Sequence, residues 1–128
     1  MNPLTEELIT GTTGELLVQL RLFQYGVQAA PPLKDSGNDL IAVRGHTLKA
    51  IQVKATRKTE TQWQAPLNRL YHILALVRLD GHDTELLLDQ SEVYLISREL
   101  IQNGTFNPTD LAPYLISQEL VDRLFPSQ

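Results

Sequence analysis

Residues 36 to 58 have the sequence SGNDLIAVRGHTLKAIQVKATRK, in which two apolar segments are separated by a short turn. DLIAV predicts a buried strand, RGH a hairpin turn and TLKAIQVKA a longer second strand. In the second strand apolar residues alternate with Gln52 and Lys54, so these two polar side chains share one face. A hairpin here also brings Asp39, at the head of the first strand, within side-chain reach of Gln52.

These residues predict a carboxylate, an amide oxygen and an ammonium group at one end of a sheet. Phosphodiester cleavage uses such a set, because Mg²⁺ takes hard oxygen ligands and a cation can orient the attacking water and steady developing charge. Glu15 would add a second carboxylate if its helix packs with that residue towards the site. Structural interpretations remain open: Asp39 as a turn residue, Gln52 and Lys54 as a solvent-facing strand surface, and Glu15 as a capping partner.

The segment upstream of the hairpin predicts a helix. Apolar residues recur at helical spacing from Leu4 to Phe23, and Gly26 is a stop signal. Gly11 and Gly14 interrupt this pattern. The sequence therefore predicts either one helix with a loose early turn or a short lead-in followed by a firmer helix.

The other segments complete a mixed sheet. VQAAPPLKDSGND predicts a short edge strand and a loop, YHILALVRL and VYLIS predict strands, and ELLLD predicts a short strand or a helical turn. RELIQNG and SQELVDRLF predict helices, and TQWQAPLNRL is ambiguous. We expect an α/β fold with a mixed, mostly antiparallel sheet, built as a single domain over residues 1–128.

Composition excludes several classes of site. The chain has no cysteine, which rules out disulfides, thiolate zinc sites and a cysteine nucleophile, and its three histidines lack metal-ligand spacing. No apolar run approaches the roughly 20 residues that span a bilayer, and the N-terminus lacks the basic start and apolar run of a signal peptide. The sequence predicts a cytoplasmic protein that does not interact with a membrane.

Charge is distributed unevenly along this acidic chain. The formal net charge is −4, yet residues 44 to 72 contain six of the 11 basic residues and one of the 15 acidic ones. This basic middle indicates either a phosphate-facing patch or a solvated strand edge. Arg57 and Lys58 could contact a nucleic-acid backbone and Trp63 could stack on a base, although Trp63 fits a core or interface anchor equally well.

Five segments, in this order, resemble the PD-(D/E)xK nuclease superfamily: GTTGELLVQLRLFQYGV, SGNDLIAV, LKAIQVKATRK, YHILALV and VYLIS. This superfamily has the restriction-endonuclease-like fold and includes archaeal Holliday junction resolvases and certain intron homing endonucleases. The resemblance covers roughly residues 11 to 97. It implies a restriction-endonuclease-like mixed β-sheet flanked by helices, and an endonuclease that hydrolyses DNA with Mg²⁺ or Mn²⁺.

The resemblance also implies a catalytic set. Carried onto matching positions, the metal ligands are Glu15, Asp39 and Gln52, and Lys54 positions the nucleophile. Gln52 stands where the superfamily usually has an acid, and an amide binds Mg²⁺ more weakly than a carboxylate does. A second interpretation is therefore a nuclease fold kept as a catalytically inactive binding or assembly module. A third is an unrelated α/β interaction domain in which these residues do not converge.

Oligomeric state follows from the size of the chain. A domain of 128 residues has little surface with which to wrap a duplex, so cleavage of both strands predicts a homodimer or a higher oligomer. The apolar tail LAPYLISQELVDRLF could supply the subunit contact, and it could equally close the core of its own chain.

Overall fold

The computed structural model describes residues 4–34, 37–57, 62–82 and 84–126. The helices are α1 (Glu6–Gln24) and α2 (Gln118–Leu124). The strands are β1 (Gln28–Ala30), β2 (Leu40–Arg44), β3 (Thr47–Thr56), β4 (Trp63–Gln64), β5 (Ile73–Arg78), β6 (Gly81–His82), β7 (Glu85–Leu86), β8 (Glu92–Ser97) and β9 (Thr105–Phe106). One 3-10 turn follows each of β7 and β8, and two follow β9.

The central sheet is mixed, as predicted. Its five strands lie in the order β1-β2-β3-β5-β8. The pairing of β3 with β5 is parallel, while β1 with β2, β2 with β3 and β5 with β8 are antiparallel. The small pairs β4-β9 and β6-β7 lie outside this sheet. The ambiguous segment after β3 thus contributes one short strand, β4.

The predicted hairpin is confirmed. Strands β2 and β3 pair in a register that places Leu40 opposite Ile51 and Arg44 opposite Thr47. Gly45 turns the chain with φ +59°, a conformation that glycine adopts without steric cost. Gln52 and Lys54 lie opposite Leu74 and Leu76 of β5, so the hairpin and the parallel strand together fix the direction of both polar side chains.

Helix α1 is a single helix, the first of the two alternatives, and the separate lead-in is wrong. The Thr5 hydroxyl caps it by accepting a hydrogen bond from the Leu8 amide at 3.2 Å, and Gly26, with φ +89°, follows its end. A Cβ built on Gly14 would lie 2.5 Å from Cβ of Ala55 in β3. This glycine therefore permits close packing of helix on sheet.

Apolar clusters cover both faces of the sheet. On one face α1 and α2 pack on the odd-numbered side chains of β3 and β5, with Leu22, Ile73 and Phe125 at most 1% exposed. On the other face the connecting segments pack around Leu74 and Leu76. The residues that lie on these faces follow the alternation that the sequence predicted.

The C-terminal tail closes the core of its own chain, since Leu111, Leu120, Val121 and Phe125 are buried. SQELVDRLF forms α2, as predicted. The helix expected for RELIQNG is wrong, because this segment forms one 3-10 turn, Arg98–Leu100, before an irregular stretch. Neither α1 nor α2, the two α-helices of the described ranges, is long and apolar enough to cross a membrane.

Candidate active site

Asp39 lies at the start of β2, where the hairpin presents it to β3. Its amide donates to the Ile51 carbonyl at 2.9 Å, which extends the strand pairing by one residue. Its Oδ2 accepts hydrogen bonds from Gln52 Nε2 at 2.8 Å and from the Val53 amide at 2.9 Å. Both hydrogen bonds that the carboxylate accepts from described residues go to this one oxygen, so Oδ1 is left available as a ligand.

Gln52 is buried, with 7% of its surface exposed. Because an ionised carboxylate only accepts hydrogen bonds, the bond to Asp39 fixes the amide with its nitrogen towards Asp39 and its oxygen turned away. That oxygen, Oε1, is buried and has no hydrogen-bond partner among the described residues. A buried carbonyl oxygen without a donor is costly unless something positive approaches it.

Glu15 is the second candidate carboxylate. Partial burial raises the pKa of its carboxyl group above the ordinary value of 4.5, and the negative charge of Asp39 raises the pKa further. The close approach of Gly14 to Ala55 holds this part of α1 against β3. That Glu15 faces the site stays a prediction, which the influence of the Asp39 charge on its pKa supports.

Lys54 follows Gln52 on the same face of β3 and is exposed. It borders an open cavity of ≈ 510 Å³ between the first turns of α1 and the end of β3. The lining includes Thr10, Gly11 and Arg57. A Cβ built on Gly11 would meet nothing within 4 Å, so the helix leaves this space clear beside Lys54.

The donor set fits a hard divalent cation. Two carboxylates, Asp39 and Glu15, and the amide oxygen of Gln52 are oxygen ligands of the kind that Mg²⁺ and Mn²⁺ accept. The described residues contain no group of three or more His, Cys, Asp or Glu side chains that could hold a metal. An ion here would therefore depend on the Gln52 oxygen, whose missing hydrogen-bond donor is the observation that supports the fit.

The residues predicted to contact nucleic acid have different environments. Arg57 follows β3, is partly exposed and borders the same cavity as Lys54. Lys58 lies outside the described residues. Trp63 is only 6% exposed and packs in the apolar cluster with Leu74 and Leu76. Of the two alternatives for Trp63, the structure shows the core anchor, because a buried indole cannot stack on a base.

Sequence reasoning missed the buried Asn38, which precedes Asp39 and is 8% exposed. Its Nδ2 donates to the Leu70 carbonyl at 3.4 Å, which ties the start of β2 to the segment that enters β5. His72 has a structural contact of the same kind, because its Nδ1 accepts a hydrogen bond from the Ala50 amide at 2.9 Å. The only sequence signal for Asn38 was its position beside the candidate aspartate.

Comparison with known proteins gives similarity in structure alone. No protein-family model and no curated protein matches the sequence. The chain is similar to the bacterial homing endonuclease I-Ssp6803I, with a TM-score of 0.55, 11% identity and coverage of 80% of this chain and 78% of that one. It is also similar to Hjc, a Holliday junction resolvase of Archaeoglobus fulgidus, with a TM-score of 0.55, 14% identity and coverage of 87% and 94%.

Both similar structures are restriction-endonuclease-like folds, and the matches cover most of the chain. The chain therefore has the restriction-endonuclease-like fold that its sequence predicted. At identities of 11% and 14%, this likeness establishes the architecture, while function has to be argued from the residues of the site.

Proposed function

We propose that this protein is an endonuclease that hydrolyses DNA phosphodiester bonds with Mg²⁺ or Mn²⁺. The observation that carries the proposal is the buried oxygen of Gln52, which lacks a hydrogen-bond donor and belongs to an amide held by the Asp39 carboxylate. Glu15, whose pKa the charge of Asp39 raises, adds a second carboxylate. This arrangement is costly without a cation, and a divalent cation would relieve it.

Asp39 and Glu15 would hold the ion through carboxylate oxygens, and Gln52 would hold it through its amide oxygen once the amide turns that oxygen towards Asp39. When bound, the ion would supply Lewis-acid stabilisation of the phosphate and lower the pKa of a coordinated water. The ammonium group of Lys54 would orient the water and donate to a phosphate oxygen as negative charge develops there. The Val53 amide, which donates to Asp39, keeps that carboxylate in place throughout.

The substrate class follows from charge. Arg57 and Lys58 lie just beyond Lys54 in the basic middle of the chain, where they would neutralise phosphates on either side of the cleaved bond. The similar structures are a homing endonuclease and a Holliday junction resolvase, which supports DNA as the substrate here. The proposal includes a single domain over residues 1–128, a cytoplasmic location and a homo-oligomer that cuts two strands.

Cleavage of a panel of labelled duplex, branched and single-stranded DNA tests the proposal. We expect the wild-type protein to cut with Mg²⁺ or Mn²⁺ and not with EDTA. Asp39→Asn and Lys54→Ala should each lower the single-turnover rate by about 10²-fold or more, the range of losses for removing one electrostatic contact to a transition state. Lys49→Ala, a charge change elsewhere on β3, is the matched control and should leave the rate within about twofold.

Calorimetric titration with Mn²⁺ separates an enzyme from an inactive module of the same fold. Wild type should bind Mn²⁺, and Gln52→Glu should bind it more tightly because a carboxylate replaces a neutral ligand. If neither protein binds Mn²⁺ and wild type cuts no DNA in the panel, the enzyme proposal fails and a non-catalytic binding module takes its place.

A further inference from the structure

The cavity beside Lys54 is larger than the proposed metal chemistry requires. We call it the helix–strand cavity, because it lies between the first turns of α1 and the end of β3. Its volume of ≈ 510 Å³ falls within the roughly 300–1,000 Å³ of pockets that bind small molecules. The helix lines it with Glu6, Glu7, Thr10 and Gly11, and the strand lines it with residues 53–57. Carboxylates therefore border one side of the cavity, and the cationic groups of Lys54 and Arg57 border the other.

The face of α1 that packs on the sheet continues into this cavity. Glu7, Gly11, Gly14 and Val18 recur at spacings of four and three, so they lie on one face of the helix. Val18 is fully buried, and the close approach of Gly14 to β3 holds this face on the sheet. Glu7 and Gly11 border the cavity instead. In its first turns, the inner face of α1 thus carries a charge and a glycine where apolar packing residues would close the gap.

The packing of the chain does not explain Gly11. A Cβ built at this position would meet nothing within 4 Å among the described residues, and its φ is not positive. Glycine within a helix is less favourable than alanine, so this position costs stability without a contact in return. A side chain at position 11 would project into the helix–strand cavity. The glycine therefore keeps room for a group that enters the cavity from outside the chain.

The charges of the two walls match the two ends of a nucleotide. Lys54 and Arg57 suit a phosphate group, and Lys54 places that phosphate beside the candidate active site. The carboxylate of Glu7 only accepts hydrogen bonds, so it suits a base that presents an amino group. Cytosine has an amino donor at the position where thymine has an acceptor oxygen. The cavity therefore favours cytosine over thymine.

The nucleotide that fits this cavity is an unpaired one. A space of this size takes a single nucleotide and not a base pair held in a duplex. A base has to leave the stack before it can enter such a pocket, and the cost is lowest for a base that is already single-stranded. A gap, a flap or a branch in DNA supplies such a base.

We propose that the helix–strand cavity holds one unpaired nucleotide of the DNA, next to the phosphodiester bond that is cut, and that Gly11 admits it. This inference rests on the proposed function, because it places the nucleotide beside Lys54. It narrows the substrate from DNA in general to DNA with an unpaired nucleotide at the cleavage position. Glu7 selects a base that carries an amino group.

Fluorescence anisotropy in EDTA tests the inference without cleavage. Wild type should bind a labelled duplex with one unpaired cytosine about tenfold more tightly than the fully paired duplex, a gain typical of one accommodated base. Gly11→Leu should remove this preference, because the leucine fills the cavity. Thr12→Leu is the matched control, since it adds a leucine at an exposed position of the same helix and should keep the preference. Circular dichroism monitors the fold of both variants.

A second substrate pair tests the role of Glu7. Thymine in place of the unpaired cytosine should weaken binding to wild type by about threefold to tenfold, the range for one hydrogen bond. Glu7→Ala should bind the two DNAs alike. Displacement of the DNA by micromolar deoxycytidine monophosphate would make a free nucleotide the ligand and would overturn the inference.

The outcomes separate this inference from the proposed function. Equal binding of paired and unpaired DNA by wild type, or a preference that survives Gly11→Leu, would overturn the inference even if the protein cuts DNA. A preference that Gly11→Leu removes, in a protein that cuts no DNA with Mg²⁺ or Mn²⁺, would support the nucleotide in the cavity and overturn the proposed cleavage.

Discussion

At the scale of single residues, the candidate site holds a buried amide, Gln52, beside the carboxylate of Asp39. Gln52 donates to Asp39, whereas a carboxylate in its place would repel Asp39. The amide thus stabilises the Asp39 carboxylate, and it brings one negative charge fewer than a glutamate would to the proposed metal site. Partial burial raises the pKa of the Glu15 carboxyl group, and the negative charge of Asp39 raises it further.

The raised pKa of Glu15 predicts how the stability of the metal-free protein depends on pH. Since the folded pKa of Glu15 lies above its ordinary value of 4.5, the folded state holds a proton that the unfolded state has lost. Its contribution to stability therefore falls as the pH rises from about 4.5 through the folded pKa. Glu15→Gln has no such proton, so the difference in unfolding free energy between the variant and wild type should grow over this window.

Urea denaturation in EDTA at a series of pH values from 4 to 8 measures the difference. The matched control is Glu7→Gln, an exposed position two turns earlier on α1, whose curve should stay parallel to that of wild type. Parallel curves for Glu15→Gln and wild type across the whole range would mean that folding does not raise the pKa of Glu15.

At the scale of elements, two glycines of α1 have opposite surroundings. A Cβ on Gly14 would lie 2.5 Å from Cβ of Ala55, whereas a Cβ on Gly11 would meet nothing within 4 Å. Alanine is favoured over glycine in a helix by about 1 kcal/mol at either position. Only at Gly14 does steric overlap oppose this gain, and overlap in a packed core costs about 1–3 kcal/mol.

We therefore predict that Gly14→Ala lowers the unfolding free energy, while Gly11→Ala raises it by up to about 1 kcal/mol. Chemical denaturation of both variants measures these changes. Ala55→Gly combined with Gly14→Ala should recover part of the loss, because it removes the overlapping atom. If both single variants were stabilising, α1 and β3 would not be in the close contact described.

These glycines also show which features of the fold could not be predicted from the sequence alone. The hairpin and its two faces were predictable, because strand alternation and turn residues are local signals. The close packing of α1 on β3 was not, since Gly14 serves a contact with Ala55, 41 positions away in the sequence. The orientation of Glu15 and the burial of Trp63 depend on the same kind of long-range packing. The residues that meet at the site were predictable, but the hydrogen bond that fixes the Gln52 amide was not.

At the scale of the whole molecule, the sheet is held between two apolar layers, and α2 completes one of them. Phe125, just after α2, is fully buried among residues of that layer, which also receives α1. Arg44 of β2 donates to the Phe125 carbonyl at 3.1 Å and pairs with Asp122 at 2.6 Å. The last turn of the chain is therefore bound to the first hairpin of the sheet.

The chain offers a controlled comparison of two phenylalanines. Phe125→Ala should lower the unfolding free energy by about 3–5 kcal/mol, because it leaves a cavity in the core. Phe23→Ala, at a position 67% exposed, should change it by no more than about 0.5 kcal/mol at concentrations where the chain is monomeric. Urea denaturation monitored by circular dichroism measures both.

Equal effects of the two substitutions on stability would contradict the burial of Phe125 in the core. A stability loss confined to Phe23→Ala would mean that α1 packs on the sheet through the face that carries Phe23.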